Sequence, residues 1–153
     1  MGQPTAGSAH YPFHHTFPVP DLDAARHFYG TVLGCPEARK KGAERAADFD
    51  FFGHHIVVRL VEGDDARLHR AAAEGANIAV RHFGVVLPWP EWEALAERLA
   101  ARSVAFVVEP TVRHRGEPHE EAMMMLADPS GNGLEFKAFR DLAFLWGRQG
   151  GER

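Results

Sequence analysis

The chain has 153 residues, a formal net charge of −4 and an apolar fraction of 45%. Interspersed acidic and basic residues argue against nucleic acid as the main partner. Cys35 is the only cysteine, which excludes an intrachain disulfide, and eleven Phe residues can supply a conventional hydrophobic core. The sequence has neither a signal-like N-terminus nor an apolar run of about 20 residues. We therefore expect a cytoplasmic protein with no membrane partner.

The first half of the chain predicts one strand, one helix and three further strands. Asp21 has the character of a helix N-cap, and an apolar stripe follows it as far as Gly34, a typical residue just past a helix end. Gly53 interrupts the later apolar run and separates two strands. The predicted strands cover residues 13–19, 35–40, 47–52 and 54–61.

The second half repeats this order of elements after a charged, Ala-rich connector, residues 62–79, which is expected to be partly helical. A second amphipathic helix opens at Pro90 and directs Trp92, Leu95 and Leu99 inward. The predicted strands cover residues 81–88, 105–112, 121–126 and 133–139.

Single positions repeat at the same spacing in both halves. The matched pairs are His14 with His82, Asp21 with Trp89, Gly53 with Gly131, and Val57 with Glu135. An internal duplication of a βαβββ unit explains this match. The predicted fold is α+β, with two such modules forming a curved mixed sheet around a metal-binding cleft. The predicted divisions are a tail (1–11), the first module (12–61), the connector (62–79), the second module (80–140) and a second tail (141–153).

Glu135 is a carboxylate inside an otherwise apolar strand, between Leu134 and Phe136. In a duplicated scaffold, the first and last strands of both modules can face one concave surface. His14, His82 and Glu135 would then converge, and Val57 would be an apolar wall at the fourth position. Two imidazoles and one carboxylate form the facial set suited to Fe(II), and Mn, Co, Ni or Zn could bind it too.

The chain resembles the vicinal oxygen chelate superfamily over roughly residues 12 to 140. The resemblance rests on HHTFPVPDL around His14, FYGTVLGCP at the first helix end, RHFGVVL around His82 and DPSGNGLEF around Glu135. This superfamily includes glyoxalase I, extradiol dioxygenases, fosfomycin-resistance enzymes and bleomycin-binding proteins. The resemblance implies one divalent metal ion that chelates two adjacent oxygens of a small organic substrate.

The resemblance also ranks the possible functions. Glyoxalase I enzymes have a second Glu where this chain has Val57, and the bleomycin-binding proteins have lost the metal ligands. A three-ligand site of His14, His82 and Glu135 therefore favours a dioxygenase-like reaction. A glyoxalase-type lyase or isomerase, or a binding protein without turnover, is the alternative. Relatives of this length commonly form homodimers, sometimes with the site shared between chains.

Other polar residues have two readings each. His55 and Arg59 alternate onto the same strand face as Val57. His55 could act as an acid or base or as a displaced fourth ligand, and Arg59 could bind a substrate carboxylate, although both could be solvated strand residues. His114 and His119 flank a turn that could form a rim over the cleft or a solvated hairpin.

Overall fold

The computed structural model describes residues 12–38, 44–61, 70–73, 76–79 and 82–146. The strands in these ranges are β1 (His14–Val19), β2 (Glu37–Ala38), β3 (Ala46–Phe51), β4 (His54–Leu60), β5 (Arg70–Ala73), β6 (Ala76–Ala79), β7 (His82–Val86), β8 (Phe106–Arg113), β9 (Glu121–Ala127) and β10 (Gly133–Phe139). The helices are α1 (Leu22–Arg26), which continues as a π-helical turn over His27–Val32, α2 (Trp89–Ala101), and a 3-10 turn over Leu142–Trp146. The predicted tail at 1–11, much of the predicted connector and the end of the second tail lie outside the described residues.

Two four-stranded mixed sheets organise the chain. Their strand orders are β1-β4-β3-β2 and β7-β10-β9-β8. In each sheet the first and last strands of a module pair in parallel, and the remaining neighbours are antiparallel. This arrangement confirms the predicted α+β class and its two βαβββ modules.

The ends of the first helix follow from local chemistry. Asp21 is the N-cap of α1, and its side chain accepts a hydrogen bond from the Ala24 backbone N–H at 2.9 Å. After the π-helical turn, Gly34 takes a φ of +76°, a left-handed conformation that costs glycine little. The second helix starts at Trp89 with Pro88 as its N-cap, so its first turn holds Pro90 where no backbone donor is needed.

The expected partial helicity of the connector is wrong for the part that the structure describes. Its described residues form β5 and β6, which pair as antiparallel strands. Alanine has a high helix propensity, but a short segment gains little from it, and backbone pairing decides the conformation here.

The two modules share one core, formed by the helix-bearing face of each sheet together with α1 and α2. Aromatic rings join the modules: Phe17 lies 5.1 Å from Phe83, and Phe51 lies 6.0 Å from Phe136, between ring centroids. Arg98 of α2 also donates a hydrogen bond to the Leu33 carbonyl at 2.6 Å. None of the described helices has the length and apolarity needed to span a bilayer.

Candidate metal centre

Each sheet has one face in the shared core and a second face turned away from it, called here the outer face. On β4, Ile56 and Val58 are buried in the core, so His55, Val57 and Arg59 alternate onto the outer face. Val57 is 7% exposed, whereas Arg59 is exposed. The structure therefore places all three on one face.

The outer face of the second sheet joins two of the three predicted ligands. The His82 Nε2 lies 3.1 Å from the Glu135 Oε2, with side-chain exposures of 27% and 18%. Leu134 and Phe136, on either side of Glu135, are fully buried in the core. The strand therefore buries its apolar residues on one face and directs the carboxylate to the other.

Gly84 allows the strands that carry this pair to approach closely. It is the register partner of Glu135 across β7 and β10. A Cβ at Gly84 would overlap the backbone carbonyl of Glu135. Any side chain here would push β7 away from β10 and separate His82 from Glu135.

The outer face of the first sheet holds a separate polar chain. The His14 Nδ1 lies 2.9 Å from the His55 Nδ1, and the His55 Nε2 lies 2.9 Å from the Asp48 Oδ1. Asp48 is only 5% exposed. The Thr16 hydroxyl lies 3.3 Å from the His14 Nε2.

When both imidazoles are neutral, this chain of contacts assigns their tautomers. The Asp48 carboxylate can only accept, so His55 donates from Nε2 and its Nδ1 carries a lone pair. His14 must then donate from Nδ1, which leaves a lone pair on its Nε2. Asp48 thus orients His14 through His55, and the His14 Nε2, which can accept from the Thr16 hydroxyl, is the nitrogen that could ligate a metal.

The structure does not bring all three predicted ligands together within one chain. Among the described residues, the ligand atoms of His14, His82 and Glu135 do not all lie within 4.8 Å of one another. His14 belongs to the first sheet, and His82 and Glu135 belong to the second. The His14 and His82 groups lie on the two outer faces, both turned away from the shared core.

The donor set is nevertheless suited to a divalent ion. Metal–nitrogen and metal–oxygen distances of about 2.0–2.2 Å place neighbouring ligand atoms about 3.0–3.5 Å apart. The 3.1 Å between His82 and Glu135 falls in that range. The Nε2 lone pair of His14 supplies a third donor of the same kind as His82.

Asp48 is a candidate functional residue that sequence reasoning missed. The strand alternation contained a signal, because Phe49 and Phe51 face the core and Asp48 must therefore face outward beside Val57. This alternation of apolar and polar residues could have identified Asp48 as a carboxylate next to Val57.

Asp128 supports the turn that precedes Glu135. Its side chain accepts hydrogen bonds from the backbone N–H groups of Ser130 and Asn132 and from the Asn132 amide. It also accepts the Tyr29 hydroxyl at 2.9 Å, which links the first module to this turn. Burial, reinforced by the Asp128 charge, raises the pKa of Tyr29 well above its usual value, so this hydroxyl remains a donor.

A groove of about 550 Å³ lies between the β3–β4 turn and the start of α2. It contains none of the predicted ligands. Its lining residues are Phe52, His54, Gly84, Val85, Val86, Leu87, Pro88 and Glu91.

Comparisons with known proteins agree with the fold. The family described as the Glyoxalase/Bleomycin resistance protein/Dioxygenase superfamily matches residues 12–136. No curated protein matches the sequence.

Among solved structures, the chain is similar to a glyoxalase/bleomycin resistance protein/dioxygenase from Alicyclobacillus acidocaldarius. The identity is 32%, the TM-score is 0.67, and the match covers 86% of this chain and 92% of that one. A glyoxalase/dioxygenase from Nostoc punctiforme shares the fold at 17% identity and a TM-score of 0.65, with coverages of 92% and 99%. TioX from Micromonospora sp. ML1 does so at 18% identity and a TM-score of 0.60, with coverages of 85% and 99%. The chain belongs to the Glyoxalase/Bleomycin resistance protein/Dioxygenase superfamily.

Proposed function

We propose that this protein is a metal-dependent enzyme that acts on a small oxygenated organic molecule bound through two adjacent oxygens. A dioxygenase-like reaction at a site of His14, His82 and Glu135 is the favoured activity, and Fe(II) is the favoured ion. When bound, the ion would act as a Lewis acid that stabilises negative charge on the chelated oxygens.

The observation that carries this proposal is the contact between His82 and Glu135. A carboxylate in an apolar strand, 3.1 Å from an imidazole on the neighbouring strand, supplies two metal donors of the proposed set. The fixed lone pair on His14 Nε2 supports the third.

We further propose that the site forms between two chains of a homodimer. The outer face with His14 in one chain would meet the outer face with His82 and Glu135 in the other. A twofold axis makes two equal sites this way, because each chain contributes both faces. This arrangement reconciles the three-ligand set with the separation of its members in the single chain.

The outer face of the first sheet would also position the substrate and the ligand. Asp48 and His55 hold the His14 tautomer. His55 would act as an acid or base toward a substrate bound beside His14 once its Nδ1 leaves the contact with His14. Arg59 is exposed on this face and would bind a substrate carboxylate or enolate oxygen.

Asp48 favours a second candidate, a glyoxalase-type lyase or isomerase. Val57 occupies the position of the fourth ligand of such enzymes, and Asp48 is its register partner on β3. A second carboxylate is thus available at nearly the same place, one strand away. It could serve as the additional acid or base that this chemistry needs.

Anaerobic purification followed by elemental analysis tests the metal and the reaction. We expect about one iron per site, and oxygen uptake with catechol substrates that is lost in Glu135→Gln. Nickel or zinc with hemithioacetal turnover would favour the second candidate. Ligand binding that persists in a metal-free, inactive protein would overturn both enzymatic proposals and indicate a binding protein.

Mixing two inactive variants tests the shared site. His14→Ala removes the ligand of the first module, and Glu135→Gln removes the carboxylate ligand of the second module. A dimer with one chain of each variant therefore has one intact site and one site with both substitutions. After subunit exchange, random pairing should restore about a quarter of the wild-type activity. A site formed within one chain would give no recovery, which would overturn the shared arrangement while leaving the metal assignment intact.

A further inference from the structure

The hairpin between β8 and β9 carries a second group of metal-ligating side chains. His114, Glu117 and His119 each place a ligand atom so that all three lie within 4.8 Å of one another. They share no residue with the proposed centre. In the part of the chain that the structure describes, this is the one set of three His, Cys, Asp or Glu residues that meets this distance.

The distance between the Glu117 and His119 ligand atoms matches a coordination sphere. The His119 Nε2 lies 3.3 Å from the Glu117 Oε2, and the rings of His114 and His119 have centroids 4.3 Å apart. A tetrahedral zinc ion with ligands at about 2.0–2.2 Å would hold ligand atoms about 3.3–3.5 Å apart. His114 and Glu117 are exposed and His119 is half-buried.

The backbone builds this arrangement through two successive turns. The Glu117 N–H donates to the His114 carbonyl and the Glu120 N–H donates to the Glu117 carbonyl, each at 3.0 Å. His114 takes a φ of +53°, which is uncommon for a non-glycine residue. These turns direct side chains three and five positions apart into the same space.

Neighbouring contacts fix the base of the hairpin. The Glu120 carboxylate accepts the Gly116 N–H at 2.9 Å and pairs with Arg140 at 3.5 Å. The Arg140 N–H donates to the Glu120 carbonyl. The His119 ring also lies 6.1 Å from the Phe144 ring. The three ligand-bearing positions are thus held on a supported turn.

We propose that His114, Glu117 and His119 form a second metal site that binds a borderline divalent cation such as Zn²⁺. Two imidazoles and one carboxylate suit zinc and its neighbours Co²⁺ and Ni²⁺ better than Mg²⁺ or Ca²⁺. Three protein ligands leave the fourth position to water or another small ligand. The ion would cross-link the hairpin turn to itself.

Zinc titration of the metal-free, full-length protein tests this proposal. The background variant His82→Ala/Glu135→Gln removes the other proposed centre. We expect it to bind one Zn²⁺ per chain by calorimetry. Adding His119→Ala or Glu117→Gln should weaken that binding by more than about tenfold. Mutating a residue that only hydrogen-bonds to a metal ligand already lowers metal affinity by about 10–100-fold. The Co²⁺ complex should show the visible absorption of a tetrahedral site and lose it in the same variants.

His27→Ala is the matched control, because His27 is an exposed imidazole on the first helical segment. It should leave zinc affinity and the cobalt spectrum unchanged. The proposal is overturned if the background variant binds no zinc, if His119→Ala and Glu117→Gln bind it as tightly as the background, or if His27→Ala weakens it equally. Circular dichroism of each variant verifies that the fold is retained.

Discussion

The outer faces of the two sheets are built on the same plan and carry different chemistry. In the second sheet the carboxylate lies on the last strand, where Glu135 faces Met125 across the ladder. In the first sheet the last strand has Val57, and the carboxylate is its partner Asp48 on the neighbouring strand. Both imidazoles, His14 and His82, keep their places on the first strands.

The backbone shows how closely the two plans agree. Val57 pairs with Thr16, and Glu135 pairs with Gly84, two residues after the imidazole in each module. The preceding glycines, Gly53 and Gly131, have φ values of +85° and +86°. The two modules therefore share strand register and turn geometry, whereas the carboxylate lies on a different strand in each. The backbone conformation restricts which residues the turns can have. The side chains on the outer faces are not restricted in this way and can differ between the modules.

The largest expected effect is on stability, when Gly84 or its equivalent in the first module, Thr16, is replaced by alanine. Gly84→Ala should destabilise the protein by about 3 kcal/mol or more, because its Cβ would overlap the Glu135 backbone. Thr16→Ala, at the equivalent position of the first module, should change stability by no more than about 0.5 kcal/mol. Urea denaturation measures both. Equal effects would mean that the two strand pairs are equally close.

The next effect tests whether Asp48 works through His55 and His14. Asp48→Ala should lower metal affinity about 10–100-fold, as expected for a carboxylate that orients a ligating imidazole. Asp48→Asn keeps an acceptor oxygen and should recover part of the loss. Calorimetric metal titration measures the effect, with the exposed Asp23→Ala as control. Unchanged affinity in Asp48→Ala would remove Asp48 from the site.

A smaller effect is expected at the junction of the two modules. Tyr29→Phe removes the hydroxyl that donates to Asp128, while three other donors to that carboxylate remain. We expect a loss of about 1.5 kcal/mol, the lower end for a hydrogen bond to a charged group. Denaturation with an unchanged m-value would show this. A loss below about 0.5 kcal/mol would mean that the contact between modules is not stabilising.

The smallest effect concerns the thiol of the first module. Burial raises the pKa of Cys35 to about 12, Asp50 adds to this rise, and Arg98 opposes it. At pH 8 only about one Cys35 side chain in 10⁴ should be ionised to the thiolate. Cys35 should therefore resist a thiol-specific disulfide reagent until the protein unfolds. Rapid labelling of the native protein would contradict this. The second module contains no cysteine for comparison.

Much of the fold was predictable from local patterns. The Asp21 cap, the positive-φ glycines and the alternation around Glu135 each follow from the chemistry of a few neighbouring residues. The prediction of helix in the connector was wrong because backbone pairing determines the conformation of its described part, and composition does not specify that pairing. Asp48 was missed because its importance depends on what lies across the strand, and His55 becomes its partner only through the sheet register.

By itself, the sequence determined the order of elements, the duplication and the residues available as ligands. These depend on periodicity, caps and turns, which act over a few residues. Only the tertiary structure decided which faces of the two modules meet. Hydrophobic contact is non-directional, so apolar stripes specify that a core forms but not how two modules share it. Strand pairing within each sheet places His82 beside Glu135 and His14 with His55 and Asp48, and the packing of the helix-bearing faces leaves both groups on the outer faces.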